Sequence, residues 1–437
     1  MRGLTTTILL LVVLAGLAGY IFFYEAGREL EDPNAKPRAF EQLQSDTIEE
    51  IQIKNADGQT SRVQLENGNW QLLEPVKTDA DDGVVGTVTS NLSTLEVQRV
   101  VEEKAGDLKQ YGLEPPRVDV GFRLKGQKDF QHLLVGDKTA TGGDVYAKRP
   151  NEPRVFLISA YLESIFNKAP FDLRDKAILR FERDKVDGVE VVEGTSAIQF
   201  SRSGTEWRIA TPAAARADYA AAEGLLTRLS STHMLTVVEE SASDLRKYGL
   251  DRPAMSATVM AGSTRATLLL GRKAEGGGFY AKDAARPTVF TVEEALATDL
   301  GKDLADYRRK DLFDARSFSA NRLELRRGGE TVTVEKADEG GKTVWKRGGQ
   351  TLDTAKVEDV LTRFSNLQAQ AFQPAAHASL KSPVLTAVVR FDENKTETVS
   401  FGRSGSEVFA SRADEPGSAR VDTSAFDEAM KAVDAMK

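Results

Sequence analysis

The chain contains no cysteine, which removes disulfides, thiolate nucleophiles, iron–sulfur clusters, cysteine zinc sites and an acylated lipoprotein cysteine together. It has only three histidines, and His132, His233 and His377 stand too far apart for any two to make a metal-binding spacing. A histidine-based zinc site is not supported, and each of the three is expected to be structural or exposed. The chain also lacks a basic stripe. Its 58 Lys and Arg are interspersed with 66 Asp and Glu, for a net charge of -8, so nothing in it is suited to neutralising a nucleic-acid backbone. Long apolar runs are missing everywhere except at the start.

What is present is the composition of a globular protein, with 41% apolar and 28% charged residues. At about 150 residues per domain, 437 residues predict roughly three domains. The one uncharged stretch, Leu4 to Tyr24, is long enough to span a bilayer as a helix. Arg2 precedes it, while Glu25, Glu29, Glu31 and Asp32 follow, which favours a cytoplasmic amino terminus and an extracytoplasmic bulk. A cleaved signal peptide is the competing reading, with Gly16 and Ala18 as small residues before a cut. The apolar run continues past them through Tyr20 to Tyr24, as in an uncleaved anchor. Residues 1–27 are therefore expected to be a transmembrane anchor in a bacterial cytoplasmic membrane, and 28–39, with Pro33 and Pro37, a linker.

Sliding the chain along itself reveals a repeat. Val100-Val101-Glu102-Glu103 and Tyr111-Gly112-Leu113 return 137 residues later as Val237-Val238-Glu239-Glu240 and Tyr248-Gly249-Leu250. The same shift takes Trp70 to Trp207, Asp81 to Asp218 and Pro116 to Pro253. A weaker third copy carries Trp345, Asp353 and Pro383, and replaces the tyrosine with Ala378. Leu134-Val135-Gly136 matches Leu269-Leu270-Gly271 and Ser400-Phe401-Gly402, and Tyr146-Ala147-Lys148 matches Tyr280-Ala281-Lys282 and Phe409-Ala410-Ser411. The copies are expected over 40–179, 180–315 and 316–437.

Within a copy, alternating Ile51, Ile53, Val63 and Leu65 around Asp57-Gly58 and Asn67-Gly68 turns predicts an antiparallel meander. Val85, Val88, Leu92 and Leu95 then follow helical spacing, with Asp81 placed to cap the helix amino terminus, as are Asp218 and Asp353 in their copies. A second set of alternations and a short helical pattern complete the copy. The fold class expected is α+β: an N-terminal transmembrane helix, then three tandem repeats of antiparallel strands, helix, antiparallel strands and short helix.

Chemistry is harder to find. Asp79, Asp81, Asp82 and Gly83 have the wrong spacing for a calcium loop. Gly341-Lys342-Thr343 lacks the upstream glycine of a phosphate loop and reads as a hairpin turn, and Gly402-Arg403-Ser404-Gly405-Ser406 misses the nucleophile elbow. No catalytic residue, metal ligand or cofactor site is assigned. Trp70, Trp207 and Trp345 favour core positions over a ligand-stacking platform, and Tyr111 and Tyr248 favour anchored turns.

Trp70, the Tyr111-Gly112-Leu113-Glu114-Pro115-Pro116 stretch, its second copy Tyr248 to Pro253, and the Val-Gly and Tyr-Ala-Lys blocks resemble a bacterial family catalogued as domain of unknown function 4340. Arg174-Asp175-Lys176 and Arg309-Lys310-Asp311 resemble that family's closing segments. The resemblance implies an amino-terminal membrane helix, a repeated domain, and a role beside an ABC transporter of the type associated with gliding motility; it implies no catalytic residues. The leading expectation is a non-catalytic, membrane-anchored extracytoplasmic protein, held by residues 4–24, that serves as an accessory or scaffold subunit of an ABC transporter or envelope complex. A glycan-binding module using the tryptophans and a carboxylate-based hydrolase are the alternatives.

Overall fold

The computed structural model describes residues 36–436 apart from Glu393, together with Leu14, Gly16, Gly19 and Tyr20. In the first repeat nine strands occupy 48–54, 60–66, 69–74, 78–79, 99–102, 118–124, 131–138, 144–148 and 155–159. They form one antiparallel sheet in which, numbered along the chain, the order is 4-3-2-1-6-7-8-9-5. The second and third repeats build nine-stranded sheets of the same order over 188–292 and 320–421. Three sheets of one unusual order are the structural form of the sequence repeat.

The sheet follows from period-two alternation. Ile51 and Ile53 are buried while Gln52 between them is half-buried, and Val118, Val120 and Phe122 continue the buried row on the partner strand. The helix Asp82–Ser93 lays Val85, Val88 and Leu92 on that row, joined by Leu162, Phe166 and Leu173 from two short helices. In the third repeat Val357, Val360 and Phe364 of Thr354–Ser365 are the equivalent layer. Helices thus cover one face of each sheet, and the opposite face carries mainly polar side chains.

The α+β expectation is corrected on two points. Strands dominate each repeat, because the first strand pairs with both the second and the sixth, as Ile51 pairs with Val63 and Phe122. The two meanders therefore fuse into one sheet, and helices are a single covering layer. The last helix of the third repeat is also long, Thr423–Met436, not short. Among the described residues no helix is long and apolar enough to cross a membrane, so the transmembrane helix is no part of the fold described. The expected span 4–24 lies outside the described residues except for Leu14, Gly16, Gly19 and Tyr20.

The chain divides into two compact bodies, one up to Asp175 and one from Lys176 onward that holds the second and third repeats. Each repeat opens on a segment that docks beside the strand-five end of its own sheet. Val97, Met234 and Ala369 donate their N–H groups to the carbonyls of Pro37, Lys176 and Lys310 at 2.8 Å each. These three residues are equivalent, so the repeats begin a few residues ahead of 40, 180 and 316.

Candidate functional site

The residues shared by the repeats lie where they organise the fold. Asp81 accepts from the N–H groups of Gly83 and Val84 at 3.0 Å, Asp218 from Ala221 at 2.8 Å and Asp353 from Ala355 at 3.0 Å. Each carboxylate satisfies amides that a first helical turn leaves free. Asp79 accepts from Gln71 at 2.7 Å and Asp82 from the Trp70 N–H at 3.0 Å, so the acidic cluster is bonded within the fold. Trp207 and Trp345 are buried and Trp70 is half-buried against its core. Trp207 Nε1 donates to Glu223 on the covering helix at 2.9 Å. The indoles form no exposed platform.

The Tyr-Gly-Leu block is a short 3-10 turn capped by glycine in the left-handed region, with φ of 63° at Gly112 and 68° at Gly249. Tyr111 packs on Tyr146 with ring centroids 4.9 Å apart, and Tyr248 on Tyr280 at 5.0 Å. Their hydroxyls donate to Glu102 at 2.8 Å and Glu239 at 2.6 Å. Tyr248, Leu250 and Val289 with Leu269 and Tyr280 make a small apolar cluster separate from the main core. The Val-Gly block lies directly beneath this turn: a Cβ at Gly136 or Gly271 would overlap the carbonyl oxygen of Tyr111 or Tyr248. In the third repeat a Cβ at Gly402 would overlap Ser379. There Ala378 supplies no ring, and His377 stacks on Phe409 at 3.7 Å instead. The Tyr-Ala-Lys block ends in a buried clamp, in which the Lys148 ammonium donates to the Glu152 carbonyl and that of Lys282 to the carbonyls of Asp283 and Arg286. Pro116 is bridged to Leu113 at the end of the turn, and Pro253 and Pro383 stand at the matching points of their repeats. His132 bonds Asp119 at 2.8 Å, and His233 is exposed.

Within the second body an ionic cluster joins the second and third repeats. Glu415, from a loop of the third repeat, accepts from Arg216 at 2.6 Å and from Arg308 at 2.8 Å. Arg216 also bonds Asp314 at 2.8 Å and the Asp311 carbonyl at 2.7 Å. Arg412 bonds Glu397 at 2.9 Å and the Leu312 carbonyl at 2.7 Å. Arg216, Arg412, Glu397 and Glu415 are all nearly inaccessible to solvent. Burial pushes the Asp311 carboxyl up, but bonds from Gln368 and Arg316 and the charge of Arg309 outweigh it and hold it below its ordinary range. For Arg412 burial works against the cation, and bonds to Asp414 and Glu397 raise it above its usual value. Beside this cluster opens a cleft of about 570 Å³, lined among others by Arg208, Tyr219, Arg309, Asp314, Lys395 and Asp414.

Sequence reasoning did not single out Arg216, Arg308, Glu397, Arg412 or Glu415. The closing segments were the available signal, displaced by one residue. Ala80 is bridged to Arg174 and Ala217 to Arg308, so Arg174-Asp175-Lys176 corresponds to Arg308-Arg309-Lys310.

The third feature is the polar face of each sheet. It carries Gln52 and Gln64 in the first repeat, Glu190, Thr258 and Thr267 in the second, and Arg322, Glu324 and Arg326 in the third, all half-buried or exposed. Thr258 and Thr267 bond across strands at 3.0 Å, and Glu324 bridges Arg322 and Arg326 at 3.2 and 2.7 Å. Among the described residues no cluster of His, Asp and Glu is arranged to hold a metal. Among those residues every carboxyl with a resolved displacement, Glu50 and Glu223 included, lies below its ordinary range, held there by arginine, lysine or hydrogen-bond donors.

A family model described as "Domain of unknown function (DUF4340)" matches twice, over 70–208 and 207–383. Both windows start at a recurrent tryptophan, so each runs from the third strand of one sheet into the next repeat. No curated protein matches the chain. Among solved structures, a DNA polymerase sliding clamp from Pseudomonas aeruginosa with ligand aligns at 9% identity over 89% of this chain and 93% of its own, with a TM-score of 0.15. A second structure of that clamp aligns at 10% identity over 87% and 92%, also at 0.15. Scores of this size do not establish a shared fold.

Proposed function

The chain belongs to the family described as a domain of unknown function (DUF4340), and we propose that it works by holding other proteins, as a non-catalytic accessory or scaffold subunit of a membrane complex. The observation that carries this reading is the wide polar sheet face, presented three times, in repeats whose shared residues serve folding. Such faces offer rows of paired polar and charged side chains, suited to specific contact at modest apolar cost. The uncharged stretch 4–24 speaks, by sequence alone, for attachment to a cytoplasmic membrane with the repeats outside it. An ABC transporter is the partner that the family resemblance implies.

The test is affinity purification of the full chain from mildly solubilised membranes, with transport measured in a deletion strain. Recovery of a transporter component in fixed ratio is expected, with altered transport on deletion. A chain that comes through alone, with transport unchanged, contradicts the proposal.

A further inference from the structure

The fourth strand of each sheet is an edge, and in the first two repeats the repeat's own closing segment covers it. Asp81 N–H donates to the Leu173 carbonyl at 2.8 Å and Asp175 N–H to that of Asp79 at 3.0 Å. The second repeat does the same, from Asp218 N–H to the Tyr307 carbonyl at 2.7 Å and from Arg309 N–H to Arg216 at 3.0 Å. Ala215, Arg216 and Ala217 are buried, Arg216 also through its bonds to Glu415 and Asp314. The third repeat has the same edge. Leu352 pairs with Trp345 as Ala217 bonds to Trp207, which makes Thr351 the equivalent of Arg216 and Asp353 that of Asp218. Alternation along an antiparallel pair then turns the N–H and C=O of Thr351 outward. Among the described residues nothing is paired with this outer side, and Gln350, Thr351 and Asp353 are exposed.

We infer that the edge 350–353 takes up an extended segment of another protein by strand addition. The two covered edges show the chemistry of the occupant: main-chain carbonyl to the cap aspartate N–H, then an arginine, then an N–H donated to the middle residue of the edge. This deepens the protein-contact reading and rests on it. A second copy stacked as a fourth repeat is poorly served, because Arg216, which grips Glu415 where the second repeat meets the third, is replaced by Thr351. In the first repeat the counterpart of Glu415, Glu152, is already bonded to Arg149 and Arg154 at 2.6 and 2.7 Å.

The probe is a peptide of residues 303–311, read by hydrogen exchange on the full chain and by fluorescence anisotropy, beside the same peptide N-methylated at Arg309. Protection confined to the segment around Thr351 and Asp353 is expected, with binding at least about tenfold weaker after N-methylation, since the lost donor is one of the two main-chain bonds at the edge. Absence of protection, or equal binding of the methylated peptide, overturns the inference. Concentration-dependent protection of the same amides without peptide overturns the choice of partner in favour of a second copy. Asp353→Pro removes the outward N–H that the occupant's carbonyl would accept, at a φ of -65° that proline adopts. If that variant loses the peptide yet recovers the membrane partner undiminished, the edge assignment fails while the protein-contact reading stands. If the peptide binds but the full chain recovers no partner, it is that reading which fails.

Discussion

A methyl group at Gly136 or Gly271 has nowhere to go, because the carbonyl of the overlying tyrosine already occupies its place. Gly136→Ala and Gly271→Ala should each destabilise their repeat by about 1–3 kcal/mol, as overpacking does. Gly143→Ala, which meets nothing within 4 Å, should be near neutral in the same denaturant titration. The Val-Gly recurrence was legible in the sequence, but the reason for it was not, since the tyrosine that forbids a side chain lies on a different element. The third repeat makes the same point, as no pattern announces that His377 takes over ring stacking from an absent tyrosine. Tyr307 gives a pH prediction. Burial pushes its phenol up to about 12, against about 10 in an unfolded chain. The folded state favours the proton, so its contribution is complete below pH 10 and is lost as pH rises towards 12. Thermal unfolding across that range should show a steeper fall for the native chain than for Tyr307→Phe; parallel curves would refute the assignment.

Helix starts are local devices, and that is why they could be read in advance of any coordinates. The cap carboxylate of Asp218 reaches an amide three residues away, so Asp218→Ala should cost about 1 kcal/mol and Asp353→Ala a similar amount, with Asn substitutions mostly restoring the loss. The clasp joining the second and third repeats is the opposite case. Arg216 and Glu415 are 199 residues apart, and single charged residues in a chain that is 28% charged carry no local signature. Glu415→Ala takes from buried Arg308 its carboxylate and from Arg216 one of two, a change worth about 3–5 kcal/mol when a buried pair is broken. Calorimetry should then resolve separate transitions for the second and third repeats, against a single transition expected for the native second body. The fold class was misjudged at this scale for a related reason. Alternation identified the strands, but the pairing of the first with the sixth spans the helix and is invisible to periodicity.

Three sheets of one strand order, each with one face sealed by helices and one left polar, set what the whole molecule can present. The positions the repeats share serve folding: cap aspartates at the helix starts, and glycines lying under the turns. The surface that remains is the sheet face with its charged and hydroxyl rows. The account's central claim is that partners engage these faces. It is tested most directly by placing a photo-crosslinking residue, in the full chain in intact cells, at Thr258 or Arg326 on the polar faces and at Lys356 on the exposed side of a covering helix. The account predicts a discrete crosslinked protein from Thr258 and Arg326 and none from Lys356. Crosslinks from the helix position alone, or from none of the three, would contradict it.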